Sequence, residues 1–494
     1  MRSFTLKLYF VTLIVSCFWG MPHGKAMPND VKHKTSEQKV FKAGAATANI
    51  TPFLGGALIG NWNDPSSTEV HDELHVRCLI LDDGTTKLVF VVADVLGLHQ
   101  DLTDAAIRLI SERMDIPSSN IIISAIHTHS AVSAMGRGEK RRSWDYNSTF
   151  DPYQEFVIHR IADVVQLAAN HLEPARIGWG SVAVPEHVFV RRWKMKKPVI
   201  NPFGEYDKVV MNPGHSNSNK LAPAAVPDPG VSFISAKSTE GRHIALFANY
   251  SLHYVGGTLK GHISADYFAV FCDRIQELLD AGRQDPPFVG IMSNGTSGDI
   301  NNINFGGSPE KNVPYAKMKY VGRDVAQKVF EASGSIAYHD WVPLKAKQKE
   351  VTLKVRKPDK KMVERAKIIL ARPDSIKSSH SLEKTYAERT LNQLKKPDQV
   401  SIRLHVFGIG DLGVASIPFE VFAETGLEVK AKSPFKQTFV IGLADGYWGY
   451  LPTPPQHELG GYETWLSTNN VELKASEKII SELLKQFSLI KSKR

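Results

Sequence analysis

Cysteine is scarce. Cys17, Cys78 and Cys272 are the only three in 494 residues, too few for a disulfide framework or a thiolate zinc cluster. Any metal must therefore be held by imidazole, carboxylate or phenol. Long apolar runs are missing as well, and the most conspicuous one, Leu8–Val15, is far too short to span a bilayer. No paired Cys/His finger spacing, basic heptad helix or RRM-type aromatic motif is present, which argues against a nucleic-acid partner. The charge excess is mild, 60 Lys+Arg against 51 Asp+Glu, or +9. Neither internal repeats nor low-complexity tracts occur. What is there is an ordinary globular composition, 42% hydrophobic and 22% charged.

Residues 1–20, MRSFTLKLYFVTLIVSCFWG, read as a secretory signal, with Arg2 and Lys7 ahead of the apolar core. Two processing routes fit. Ile14-Val15-Ser16-Cys17 resembles a bacterial lipobox, which would make Cys17 a lipidated first residue attached to a membrane. Cleavage between Gly20 and Ala26 would instead release the chain. Either way the destination is extracytoplasmic: periplasm, outer membrane as a lipoprotein, or the medium. Residues 21–39 read as a flexible polar tether, and the folded body as residues 40–494.

The body alternates strand and helix signals, an α/β pattern. Val76–Leu81 and Lys87–Val92 read as strands around an Asp-Asp-Gly turn, Leu102–Arg113 as a helix capped by Asp101, and Asn120–Ile126 as a buried strand. Residues 194–230, rich in Pro, Asn and Lys, read as one long loop. Residues 345–400 are dense in charge and read as a solvated helical insertion. The α/β pattern returns at Ser401, and an amphipathic helix closes the chain.

Polar residues collect where buried strands end, the place where open α/β sheets bind ligands. His127-Thr128-His129-Ser130 follows the Ile-rich strand, and two histidines at i and i+2 on extended chain share a face. His253 ends another strand. Ser297-Gly298-Asp299-Ile300-Asn301-Asn302 follows FVGIM, with glycine permitting close backbone approach. Glu420, in Ile-Pro-Phe-Glu, is a carboxylate among apolar residues, costly to bury unless paired or metal-bound. Tyr447, Tyr450 and Tyr462 occupy the last loops. If these strand ends converge, two imidazoles, a carboxylate and a phenol would suit a divalent ion with an open position, as in catalytic zinc sites.

In order and spacing, these motifs resemble the catalytic domain of the neutral/alkaline, non-lysosomal ceramidase family. The resemblance rests on AGAATANITP, VFVVAD, HTHS, the strand-end His253, the Ser264-Ala265-Asp266 triplet, the SGD loop, PFE and the two-tyrosine loop, from about Ala43 to Glu463. It implies mixed sheets flanked by helices in one large catalytic domain carrying the helical insertion. It implies one zinc ion, Zn2+, held by His127, His253, Glu420 and Tyr450, and it implies His129 acting on the substrate and Tyr462 polarising the scissile carbonyl. A site arginine falls on Arg191 or Arg192. Asp299 and Asn301 fall in the catalytic loop, and Asp266, Asn302 and Tyr447 beside the substrate.

Three departures are visible. The family's Gly-Asp-x-Ser-Pro-Asn becomes Gly298-Asp299-Ile300-Asn301-Asn302, so the nucleophilic hydroxyl is missing. HTHSGPGG becomes HTHSAVSA. The residues after Tyr462 are too few for the family's C-terminal immunoglobulin-like domain. The reading is therefore an exported zinc hydrolase of an N-acyl amide, in which metal-activated water replaces serine and Asn301 donates a hydrogen bond in its place. A glycan carrying acyl or amide groups is the alternative substrate, stacked on Trp193, Trp448 and Trp465. A non-catalytic binding relative is the third reading.

Overall fold

The apolar runs of the first half become strands of one large sheet. These are β1 (Lys42–Asn49), β2 (His75–Asp82), β3 (Lys87–Ala93), β4 (Ile121–Ala125), β5 (Glu173–Ala183), β6 (Gly230–Ser238), β7 (His243–Tyr250) and β8 (Val289–Asn294). They lie in the order β8-β7-β6-β5-β1-β2-β3-β4, with the short Tyr338–His339 strand also on β5. In this computed structural model residues 39–60, 63–135 and 149–491 are described. The signal segment, Cys17 and nearly all of the tether lie outside them. From Lys39 on, the chain forms one compact unit.

Most neighbours pair antiparallel, but β3–β4 and β7–β8 are parallel. A parallel pair needs a crossover. Helix α1 (Gln100–Arg113) provides the first, and α3 (Asp266–Leu278) the second; α2 (Pro152–Asn170) lies between them in the chain. His99, not Asp101, holds the N-cap position of α1, and Asp101 sits in its first turn. Both parallel pairs run their carboxyl ends to the same region.

A second sheet runs β9 (Leu344–Lys354), β10 (Gln399–Ile409), β11 (Leu412–Ser416) and β12 (Gln437–Ile441), in that order. Phenylalanines join the two sheets. Phe90 of β3 lies 5.2 Å from Phe247 of β7 and 5.3 Å from Phe407 of β10, and Phe247 lies 6.1 Å from Phe439 of β12, between ring centroids. Side chains alternate along β10: Phe407 and Ile409 enter this core, whereas Ile402, Leu404 and Val406 face a second one. That second core is filled by Ile479, Leu483 and Phe487 from the C-terminal helix Ala475–Lys491.

Close glycine contacts place α2 and α3 on the far side of the first sheet. A Cβ on Gly44 of β1 would meet the Ala168 carbonyl of α2 at 2.2 Å, and one on Gly290 of β8 would meet the Cys272 carbonyl of α3 at 2.7 Å. The layers are thus helix, sheet, sheet, helix.

Residues 194–230 are not one loop. Arg192–Ile200, Tyr206–Met211 and Lys220–Pro223 form a three-stranded sheet, with Arg192–Ile200 central. Register shifts along Arg192–Ile200 break the two-residue alternation that would have announced it. The charged stretch after Leu344 begins as strand β9 and continues as helices Lys360–Ala371 and Glu383–Gln393, packed on each other through Ala366, Ile369 and Ala387. Among the described residues no helix is long and apolar enough to cross a membrane.

Candidate metal centre

His127 follows β4, His253 follows β7, the Gly298 loop follows β8, and Glu420 follows β11. His127 adopts φ 71°, so the HTH segment is kinked rather than extended. The two histidines nevertheless meet, Nε2 to Nε2, at 3.3 Å. The Nδ1 of His127 lies 2.8 Å from the Leu96 carbonyl, and that of His253 lies 3.1 Å from the Ser297 carbonyl. A carbonyl can only accept, so each Nδ1 donates and each Nε2 is turned inward, the usual support of a metal-binding imidazole. Ligand atoms of His127, His129 and His253 all lie within 4.8 Å of one another.

Glu420 completes the set. Its Oε2 stands 3.3 Å from His127 Nε2 and 3.9 Å from His253 Nε2. Its Oε1 accepts a 2.6 Å hydrogen bond from the Tyr447 hydroxyl, while Oε2 is buried with no hydrogen-bond partner among the described residues. Burial pushes this carboxyl up, but His127, Arg191 and Tyr447 outweigh burial and hold it below the usual range, hence ionised. Burial, aided by Arg191 and the neighbouring imidazoles, holds His253 well below its ordinary value, hence neutral. A buried carboxylate oxygen facing imidazole nitrogens is a donor set that fits a divalent transition metal.

Backbone pairing brings the phenol in. Glu420–Val421 pairs in parallel with Tyr450–Leu451, with Glu420 opposite Tyr450. Gly298 makes this possible, since a Cβ there would lie 2.4 Å from the Glu420 carbonyl oxygen. Tyr450 is buried, with Tyr462 at 5.8 Å between ring centroids. Burial raises both phenols, so both keep their protons as donors.

The two adjacent arginines separate here. Arg191 puts Nη1 3.4 Å from His253 Nε2 and its guanidinium 5.3 Å from the centre of the Tyr450 ring. Arg192 instead donates to Gln456 and to the Gly460 carbonyl, and its guanidinium lies over Phe422. Both converge on the fully buried Glu463, Arg191 Nε at 2.9 Å and Arg192 Nη1 at 2.6 Å. Arg191 is therefore the arginine of the centre.

Other residues singled out in the sequence support loops. The Asp266 carboxylate accepts from the backbone N–H groups of Val255, Gly256 and Tyr267, holding the loop after His253. Ser264 ties the neighbouring loop: its carbonyl accepts from the Thr128 hydroxyl at 2.7 Å and its N–H donates to the Ser130 carbonyl. Asp299 accepts from the Ala423 N–H at the start of helix Ala423–Lys432, and burial raises it to about 7. Asn301 donates to Asn212 and accepts from the Ile303 N–H, so its amide closes a turn. Asn302 donates to the Val255 carbonyl. Tyr447 serves Glu420, as above.

Nor do the tryptophans form a sugar platform. Trp448 is buried, the Trp465 indole donates to Asp207, and Lys220 lies over Trp193.

Two residues were missed in the sequence. Tyr254 stacks under His129 at 3.7 Å; its position directly after His253 was the available signal. Glu463 was legible as a carboxylate inside an aromatic, glycine-rich loop, a burial that demands a cationic partner.

The fold is that of a neutral ceramidase. No model of a known protein family matches the sequence. The structure is similar to neutral ceramidase from Pseudomonas aeruginosa, with a TM-score of 0.66 and 15% identity, covering 92% of this chain and 75% of that one. It is likewise similar to a ceramidase complexed with C2, with a TM-score of 0.64, 15% identity, and 92% and 76% of the two chains covered.

Proposed function

We propose that this protein is an exported, metal-dependent amide hydrolase that cleaves the N-acyl bond of a ceramide-like lipid. The observation that carries it is the convergence of His127, His129 and His253 within 4.8 Å of one another, with Glu420 Oε2 set against His127 and His253. The ceramidase fold supports the substrate class. His127, His253 and Glu420, with Tyr450 opposite Glu420, would hold one divalent cation, with zinc among the ions that this donor set suits. Such an ion supplies Lewis acidity and a water of lowered pKa.

The chain's own groups perform the rest. His129, half-buried beside His127, takes the proton of the attacking water and returns it to the leaving amine. The Nη2 of Arg191, buried and without a hydrogen-bond partner among the described residues, and the Tyr462 phenol donate to the carbonyl oxygen as it gains charge. Each such donor is worth about 3 kcal/mol. Asn301, in the place of the family hydroxyl, is spent on its turn rather than on the substrate, so the attack falls to water.

The test pairs metal content with turnover of N-acyl-sphingosine, acetylated sugars and glycosides. In the expected outcome the wild type holds about one metal ion per chain and cleaves the N-acyl lipid, whereas His127→Ala and Glu420→Ala lose both properties. Full metal occupancy in both variants would falsify the centre. A metal-loaded wild type inert towards every amide would leave a binding protein. His129→Ala that keeps its metal but not its turnover marks a proton carrier, and loss of both marks a further ligand.

A further inference from the structure

The centre is exposed in part. His127 and His253 are buried, whereas His129 is half-buried. Two loops border His129. One holds Gly60, whose absent Cβ would lie 2.6 Å from the His129 ring, and the other holds Tyr254, stacked on that ring. Ser130 and Thr258 join their hydroxyls at 2.9 Å along the same edge.

These loops carry large apolar side chains into solvent. Phe53 is 97% exposed, with Leu54 at 55% and Leu259 at 46%. The tips are tied to one another. Gly55 donates to the Ser67 carbonyl, Thr68 donates to the Gly261 carbonyl, and Val70, also exposed, sits opposite Ile263 in a two-residue pair. On the far side of the 253–259 loop stand exposed Ile303 and Val313, whose neighbours Asn302 and Tyr315 bond to the Val255 and Gly257 carbonyls. Six exposed apolar side chains thus project from five short segments joined to the loops beside His129. A run of this kind marks an interaction site.

We propose that this rim docks on a lipid surface, presenting the half-buried His129 to molecules in the bilayer. The occupant follows from the build of the rim. Its apolar groups stand singly on separate loop tips spaced by Gly55, Gly56, Gly256 and Gly257, which offers no flat face to a protein but suits a bilayer that deforms around each side chain. Charge agrees: Lys260 and Lys311 stand exposed among the tips, while Glu69 faces His262 and Glu310 is held by Lys317. Lysines at the headgroup level and aromatic or aliphatic groups below it are the elements of interfacial binding. The docking is independent of whether the centre turns over, so it is read without any substrate.

The experiment uses the full chain and vesicles of phosphatidylcholine with a minor share of phosphatidylglycerol. The triple variant Phe53→Ser, Leu54→Ser, Leu259→Ser is expected to partition about a hundredfold more weakly than wild type, with an unchanged thermal melt. His127→Ala, which disrupts only the centre, is expected to partition like wild type. A Phe53→Trp protein is expected to lose its added fluorescence to brominated lipid, which reads the rim directly even if the triple variant does not fold. Equal partitioning of a folded triple variant, or a tryptophan at 53 untouched by brominated lipid, would overturn the proposal. So would a wild-type dimer that the triple variant dissolves.

Discussion

Two regions of this molecule bury histidine with carboxylate, and they are built to opposite ends. At the join of the two sheets, His405 Nδ1 lies 2.9 Å from Asp445 Oδ2, Ser416 donates to the same oxygen, and the Ile123 N–H donates to Oδ1. Both Asp445 oxygens are satisfied, and the assembly locks β10, β11 and β4 together. At the candidate centre the protein satisfies Nδ1 of two histidines with carbonyls and leaves Glu420 Oε2 and the Nε2 atoms facing each other. The residue types are the same. What distinguishes the two regions is the carboxylate: both oxygens of Asp445 are hydrogen-bonded, whereas Oε2 of Glu420 is not.

Substitutions on the two sides should separate accordingly. The largest effect is expected at the centre: Glu420→Ala removes the metal and lowers turnover by about 10³-fold or more, while the protein still melts cooperatively. Asp445→Ala should show the reverse, losing about 3–5 kcal/mol of stability in denaturant titration yet retaining stoichiometric metal at low temperature. Loss of metal without loss of stability at Asp445 would erase the distinction between the two regions.

Glu463 sharpens it further, because it is a satisfied carboxylate that serves the centre. Glu463→Gln should lower kcat by about 10²-fold through misdirected Arg191, with metal content unchanged; an unaltered kcat would reduce the two arginines to scaffolding. Tyr447→Phe removes one hydrogen bond from Glu420 and should weaken metal affinity about tenfold, measured by chelator competition.

The smallest effect is expected at Asp299, raised by burial to about 7. A carboxyl whose folded pKa exceeds its unfolded value stabilises the fold most at low pH and loses that contribution as pH rises through about 7. Asp299→Asn should therefore flatten the fall in stability between acidic and neutral pH, from the ordinary carboxyl value of 3.8 up to about 7. A wild-type curve level across that window would place Asp299 outside this account.

Much of this was legible from residue type and position. HTHS, His253 and Glu420 stand where buried runs end, and a carboxylate within Ile-Pro-Phe-Glu announces a partner. Direction was not legible. Arg191 and Arg192 are neighbours on one extended segment and both reach Glu463; contacts of Arg192 with Gln456 and Gly460, from a distant part of the chain, leave Arg191 to face His253. Asp266 reads as a substrate contact only through the family resemblance, and the sequence gives no sign of the three backbone N–H groups that donate to it. The sheet over Arg192–Pro223 stayed hidden because bulges erased its alternation.

The Glu420–Tyr450 pairing has a consequence for how the protein matures. His127 sits early in the body and Tyr450 close to its end, and the glycine that lets Glu420 settle belongs to neither segment. A nascent chain halted before its last loops would have every imidazole and still lack a cup for the cation. In the proposed metal centre, uptake would therefore follow completion of the last loops, and truncated products should emerge empty.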